Sequence, residues 1–352
     1  MEGEIVQVKT GQVVSFDAMI GDLSRVDIVY VGETHINRAH HDIQLKILQA
    51  IFAKNRSIRV GMEMFERSSQ PILDQWRAGD LTEETFLKKV RWEKDWSFDF
   101  DLYRDILYFI RENHIHLTAL NIPHEIVKKV AAHDLASLSE EEKGQVAQDI
   151  DLSDAEHRAF VREGFTAHNE QDFHGFDSFY EAQCVWDDSM AESVAKMVER
   201  DKRPIVIFAG NGHIERFGIP KRVERRVECS YMTVMPVAVG TTVKQTAADY
   251  IWVTKAERRH KHPLIGIKLK PITGGEGLLV EGVMPGSPAE TAGIRENDIL
   301  IAIDGLPVSS VSDIHKAIMG AQSPHSYLFQ IKRGSETLEC TVMPRRDNDH
   351  KG

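Results

Sequence analysis

The feature of this sequence that most constrains its fold is the alternation of short apolar runs with helical patterns over the first two-thirds of the chain. Runs rich in β-branched residues occupy residues 26–31, 58–64, 116–120, 205–209 and 232–239. Strands that are apolar almost throughout and alternate with helices are typical of a parallel sheet that is covered on both faces. The sequence therefore predicts an α/β fold with a mostly parallel sheet flanked by helices.

Helical spacing marks residues 39–54, 101–113 and 178–200. The segment 132–169 is acidic and poor in large apolar residues, and it predicts a helical insertion over the sheet. The sequence leaves open whether this insertion is a lid or a solvated pair of helices.

The length and composition of the chain predict two domains. A chain of 352 residues is long enough for two, and a short basic stretch separates the α/β pattern from a glycine-rich part with shorter strand patterns. We expect an α/β domain at residues 1–256, a linker at 257–263 and a smaller α+β domain at 264–346.

Composition also excludes several classes of protein. The net charge of −11 argues against a nucleic-acid partner held through phosphate contacts. Three widely spaced cysteines form neither a disulfide framework nor a CxxC metal site. There is no apolar stretch long enough for a transmembrane helix, and we expect no signal peptide because no basic segment precedes an apolar one. The compartment stays open.

Polar side chains stand at the ends of the predicted strands. Glu33 and His35 follow the first run, Glu63 and Arg67 lie at the end of the second, and His213 follows the run at 205–209. The carboxyl ends of parallel strands share one edge of a sheet, so we expect these groups to converge on one crevice. Buried carboxylates and imidazoles are costly unless they pair or bind a ligand, which makes the crevice a candidate site. The predicted helix 178–200 adds Gln183 and Asp187, which share its apolar side.

Two chemistries fit this set of residues. In the first, His35 and His213 bind a zinc, manganese or iron ion together with Glu33, and Glu63 is the general base of a hydrolase, so that these four residues are catalytic. In the second, His35 or His213 faces a haem and Arg67 pairs with the propionates. Aromatic residues would then line the slot, and two of them offer phenolate ligands to the iron: Tyr103, Tyr180, Trp92, Trp96 and Trp186.

Several motifs, in order over about residues 5–255, resemble the ChaN family of haem-binding proteins. They are GETH at 32–35, GMEMFER at 61–67, NIP at 121–123 and GNGHI at 210–214. More distantly, the layout is similar to the TraB, Tiki and erythromycin esterase proteins. The resemblance implies an iron-regulated, often lipid-anchored and therefore periplasmic or membrane-associated bacterial protein that binds haem in a pocket completed by a homodimer. It implies these pocket residues: Glu33, His35, Glu63, Arg67, Gln183, Asp187 and His213.

The second part of the chain resembles a PDZ domain of the bacterial protease-associated type. The resemblance rests on LIGI at 264–267, PGSPA at 285–289 and NDILIAIDG at 297–305. It implies a loop whose backbone N–H groups bind the carboxylate of a peptide C-terminus, and a strand edge to which the peptide is added. The implied peptide-binding residues are Leu264, Ile265, Gly266, Ile267, Ile314 and Ile318.

Three hypotheses follow for the whole chain. The sequence favours a haem-binding protein for uptake or handling of iron or haem, with a PDZ module that binds a peptide C-terminus. One alternative is a metal-dependent hydrolase of the Tiki or erythromycin esterase type. The other is a non-catalytic PDZ adapter, and the residues alone leave open whether the protein is an enzyme.

Overall fold

The fold is taken from a computed structural model that describes residues 2–165, 175–200, 204–255, 265–272, 277–308, 313–314 and 326–343. The chain divides into two compact units, Met1–Ala256 and Glu257–Gly352. We call them the first and the second unit. No helix in the described part of the chain combines the length and the apolarity that crossing a bilayer requires.

The described part of the first unit contains an eight-stranded sheet with the order β2-β1-β8-β7-β3-β6-β4-β5. The strands from β8 to β5 in this order are mutually parallel, and β1 pairs antiparallel with both β8 and β2. The predicted α/β class with a mostly parallel sheet is confirmed. The strands are β1 (Ile5–Gln7), β2 (Gln12–Val14), β3 (Ile28–Glu33), β4 (Arg59–Glu66), β5 (His116–Asn121), β6 (Ile205–Gly210), β7 (Tyr231–Ala238) and β8 (Tyr250–Thr254).

Helices cover both faces of this sheet. Along β3, Ile28 and Tyr30 pack into a core with the long helix α10, whereas Val29 and Val31 pack on the opposite face with helix α2. Every residue of β3 and β6 is buried, which explains why both strands are apolar without a polar alternation. The helices are α1 (Phe16–Leu23), α2 (Arg38–Lys54), α3 (Gln70–Ala78), α4 (Glu83–Lys89), α5 (Trp92–Asp95), α6 (Arg104–Glu112), α7 (His124–His133), α8 (Glu140–Lys143), α9 (Ala155–Phe165), α10 (Phe176–Arg200), α11 (Asn211–Ile214) and α12 (Ile219–Glu224).

The second unit is a separate antiparallel sheet with the order β14-β13-β11-β10-β9, and β12 pairs with β11. Its core includes Leu278, Leu300, Phe329 and Ile331, all fully buried. The architecture is consistent with the predicted smaller PDZ domain. Its elements are β9 (Ile267–Pro271), β10 (Leu278–Val283), α13 (Pro288–Thr291), β11 (Ile299–Ile303), β12 (Leu306–Pro307), β13 (Tyr327–Arg333) and β14 (Glu336–Val342).

Candidate functional site

The carboxyl edge of the parallel sheet carries the predicted polar residues. Glu33 ends β3 and stands in register with Gly210, which ends β6. The pairing of β4 with β5 is irregular between Met62 and Glu66, and Glu63 lies inside this irregularity. Such irregularities change the direction of a side chain at a strand end. Both glutamates are only 1% exposed, so their carboxylates need partners within the protein.

Glu33 is the centre of the first polar group. Its Oε1 lies 2.6 Å from Nδ1 of His35 and accepts a hydrogen bond of 2.9 Å from the hydroxyl of Tyr103. Its Oε2 lies 3.0 Å from Nδ1 of His41. Burial alone would raise the pKa of Glu33, but the two imidazoles outweigh it and lower the pKa to about 2. The carboxylate is therefore ionised throughout the physiological range.

Glu63 and His213 form the second polar group together with Asp187 of α10. Oε2 of Glu63 accepts the backbone N–H of Gly210 at 2.7 Å, and its Oε1 lies 3.5 Å from Nε2 of His213. Nδ1 of His213 lies 2.5 Å from Oδ1 of Asp187. Burial would lower the pKa of His213, but the carboxylates of Glu63 and Asp187 outweigh it and raise the pKa to about 9. At neutral pH this histidine is therefore a cation between two anions.

The absence of a side chain at Gly210 lets the two polar groups meet. A Cβ atom at this position would lie 3.1 Å from Cε1 of His35 and 3.7 Å from Oε2 of Glu63. The pKa of His35 reflects the same proximity. Burial lowers it, but Glu33 and then Glu63 raise it above the usual histidine value. Segments from 33 to 213 thus converge at one place on the carboxyl edge of the sheet.

Aromatic rings flank both histidines. The ring of His35 lies 4.8 Å from Trp96 and 4.7 Å from Phe98, measured between centroids. The ring of His213 lies 4.9 Å from Trp186. The side chain of His35 is 29% exposed, whereas that of His213 is 13% exposed. His35 is therefore the imidazole that a ligand approaching this edge reaches more easily.

His157, on α9, belongs to this network although its sequence context gave no sign of it. Arg222 donates to Nδ1 of His157 at 3.0 Å, so that nitrogen is the acceptor and Nε2 carries the proton. Nε2 lies 3.3 Å from Oδ2 of Asp187, which is thus bound by His157 on one oxygen and by His213 on the other. Only the docking of α9 on α10 creates this arrangement, and no local spacing in the sequence predicts it.

Three predicted pocket residues have other surroundings. Arg67 contacts α10 and Gln145: it pairs with Glu192 at 3.0 Å and donates to Ser193 at 2.8 Å. Tyr180 is 1% exposed and donates to the backbone carbonyl of Asp154, so its phenol is a packed hydrogen-bond donor. Gln183 lies half-buried on α10, one turn before Asp187.

Tyr103, also predicted as a phenolate ligand to iron, donates its hydroxyl to Glu33. It is fully buried, and burial together with Glu33 raises the pKa of its phenol. Among the described residues, no group of three or more histidine, cysteine, aspartate or glutamate side chains is arranged to hold a metal ion. The carboxylate of Glu33, predicted to hold a metal together with His35 and His213, lies beside the imidazoles of His35 and His41.

The predicted peptide-binding residues belong to the second unit. Gly266 has a φ of +78°, which glycine adopts without strain, and its position lies between buried Ile265 and the start of β9 at Ile267. Ile314 is buried in the core of this unit. Leu264 and Ile318 lie outside the described residues.

Comparisons with known proteins agree with this division of the chain. The profile of the family described as "Haem-binding uptake, Tiki superfamily, ChaN" matches residues 19–223, and a PDZ domain profile matches residues 279–333. The solved structure "Cofacial heme binding to ChaN of Campylobacter jejuni" has a TM-score of 0.59 at 17% identity, and the match covers 72% of this chain and 97% of that chain. At this identity the likeness shows the fold alone.

Curated relatives match a much shorter part of the chain. Serine protease HTRA3 of Rattus norvegicus is 27% identical over 100 residues, which is 24% of this chain and 21% of that protein. Serine protease HTRA1 of Xenopus laevis is 36% identical over 69 residues, which is 20% of this chain and 14% of that protein. The chain thus spans about a quarter or less of the length of these relatives.

Proposed function

The chain belongs to the haem-binding uptake family ChaN of the Tiki superfamily, and on that premise we propose that its first unit binds haem at the carboxyl edge of the sheet. The proposal names His35 as the residue that holds the iron. When bound, haem would supply an iron centre that accepts an imidazole nitrogen. The extensions to iron uptake, to a homodimer and to a periplasmic location rest on the family resemblance.

The arrangement around His35 carries this proposal. Its Nδ1 lies 2.6 Å from Glu33, which orients the ring and leaves Nε2 for a ligand. A carboxylate on the far nitrogen also makes an imidazole a better electron donor to a metal. The rings of Trp96 and Phe98 supply apolar surface beside it, and the missing side chain at Gly210 lets the ring pack close to the backbone at the end of β6. These residues fit a planar iron porphyrin.

Arg67 has no part in the proposal, because a propionate would have to displace its pairing with Glu192. We assign it instead to holding α10 against the end of β4. The alternative of a metal-dependent hydrolase has less support, since both ring nitrogens of His213 already face carboxylates, Nδ1 that of Asp187 and Nε2 that of Glu63.

Replacing His35 by alanine tests the proposed haem site. We expect at least about tenfold weaker binding of haemin, because the imidazole that would hold the iron is lost. Titration followed by the Soret band measures both the affinity and the spectral signature of an imidazole ligand. His133→Ala, at the exposed far end of α7, is the matched control and should bind like the wild type. Equal affinities of the wild type and His35→Ala would contradict the assignment.

Replacing Gly210 by alanine tests whether the close packing of the His35 ring on this glycine matters. The new Cβ would lie 3.1 Å from Cε1 and 3.4 Å from Nε2 of His35, so the ring must move. We expect weaker haemin binding and a loss of stability of about 1–3 kcal/mol from overpacking. Gly21→Ala on α1, where a Cβ meets nothing within 4 Å, is the control and should bind haemin normally. Normal haemin binding by Gly210→Ala would show that binding does not depend on this position of the His35 ring.

For the second unit we propose binding of a peptide C-terminus. The PDZ match and the left-handed backbone at Gly266 support this role, because the loop before β9 can then present its N–H groups to a carboxylate. We further propose that residues 1–256 form the haem-binding domain, residues 257–263 the linker and residues 264–346 the peptide-binding domain.

A further inference from the structure

Strand β9 is the edge of the sheet in the second unit. It pairs antiparallel with β10 on one side, and the strand order of the described sheet ends there. A peptide that adds to this edge must run along the other side of β9, with its backbone hydrogen-bonded to the strand. The side chains of β9 therefore decide what the peptide meets, and this inference rests on the proposed peptide-binding function.

The side chains of β9 alternate between two faces. Ile267 and Leu269 pack against the core of the second unit. Lys268 and Lys270 point to the opposite face, and their side chains are 79% and 64% exposed. The lysine face of the edge is therefore open to solvent and to the outer side chains of an added strand.

The register of an added peptide follows from the position of its carboxylate. If the loop at residues 265–267 binds the carboxylate, the last residue of the peptide stands opposite Ile267. Residues directly opposite each other in an antiparallel pair share a face. The second-to-last residue then stands beside Lys268, and the fourth-to-last stands beside Lys270.

Among the residues that the structure describes, the charge of the two lysines is only half compensated. The carboxylate that the described residues place near them is that of Glu281, whose oxygens lie 3.7 Å from Lys268 and 3.6 Å from Lys270. Glu281 lies where the pairing of β10 with β9 shifts register, between Val280 and Gly282. One carboxylate facing two ammonium groups leaves one positive charge, and exposed pairs at this distance bind weakly enough to exchange partners.

We propose that the second unit selects peptide C-termini that carry aspartate or glutamate at the second-to-last and fourth-to-last positions. Each acidic side chain would stand next to one lysine of β9 and would take over part of its pairing with Glu281. The apolar residues of the same peptide would lie on the other face of β9, the face of Ile267 and Leu269.

Fluorescence anisotropy with the full-length chain tests this preference. Three labelled hexapeptides have valine at the last and third-to-last positions. They differ at the second-to-last and fourth-to-last positions, which are both Gln in one peptide, both Glu in the next and both Lys in the third. We expect the Glu peptide to bind about two- to fivefold more tightly per position than the Gln peptide, and the Lys peptide to bind more weakly. The double variant Lys268→Gln and Lys270→Gln should abolish these differences. Lys332→Gln on β13, separated from β9 by two strands, is the control and should keep them.

The outcomes distinguish the acidic preference from the peptide-binding function on which it rests. Carboxylate-dependent binding of all three peptides with equal affinity would overturn the acidic preference and leave peptide binding intact. The same would follow if the preference survived in the double lysine variant. Binding of none of the peptides, or equal binding of C-terminally amidated versions, would overturn the peptide-binding function and the preference with it.

Discussion

Replacing Arg222 by methionine is expected to lower the free energy of unfolding of the first unit by about 3 kcal/mol. Arg222 is 3% exposed, and its guanidinium donates to the buried carboxylate of Asp188 and to the backbone carbonyl of Asp151. Removing one partner of a buried ion pair typically costs about 3–5 kcal/mol. We expect the lower end of this range because Arg225 and Arg226 still contact Oδ1 of Asp188.

Urea unfolding followed by tryptophan fluorescence measures this loss. The five tryptophans lie between residues 76 and 252, so their emission reports the first unit and not the second. Arg25→Met is the matched control, since Arg25 pairs with Asp22 at the surface with 77% of its side chain exposed. An exposed pair of this kind contributes under about 1 kcal/mol. Equal losses of unfolding free energy in the two variants would contradict the stabilising role of the buried Arg222 ion pair.

The cluster around Arg222 also decides how the acidic insertion is held. The described residues of this segment, up to 165, are tied to α12 by the ion pair of Asp154 with Lys221, and to the residues just after α12 by ion pairs of Asp149 with Arg225 and Arg226. Several charged contacts hold this segment in place against the neighbouring part of the first unit. Of the two structures that the sequence left open, a lid that swings freely fits these contacts poorly.

The sequence contained enough information for the parallel strands because their signal is local. Each of the five apolar runs overlaps a strand of the sheet, with ends that differ by three residues or fewer. The short strands β1 and β2 and the strand β8 beside them escaped prediction. β1 and β2 have three residues each, and their pairing depends on β8, about 240 residues further along the chain.

The same distinction between local and distant signals explains which residues of the site the sequence could predict. Glu33 and His213 stand directly after apolar strands, so the topology of a parallel sheet is enough to bring them together. His157 and Arg67 depend on which helix packs beside them. Both have an acidic partner on α10, and side-chain pairing between distant segments leaves no periodic trace in the sequence.

Raising the pH from 6.5 to 9 is expected to remove about 3 kcal/mol of stability from the first unit through His213 alone, in protein free of haem and metal. Glu63 and Asp187 raise the pKa of His213 from 6.5 to about 9, against the effect of burial. The folded protein therefore binds this proton more tightly than the unfolded chain does. Each pH unit of difference corresponds to about 1.4 kcal/mol. This stabilisation is complete below pH 6.5 and is lost as the pH rises to 9.

Tryptophan-detected unfolding in urea at pH 6, 7.5 and 9.5 isolates this contribution when wild type and His213→Gln are compared. The glutamine variant should be less stable at pH 6, because Glu63 and Asp187 then lack their cation, but its stability should change less over this range. His133→Gln, exposed at the end of α7, should follow the wild type. Parallel pH profiles of the wild type and His213→Gln would contradict the raised pKa of His213, because an imidazole that binds its proton equally in the folded and unfolded chain adds no pH dependence to stability.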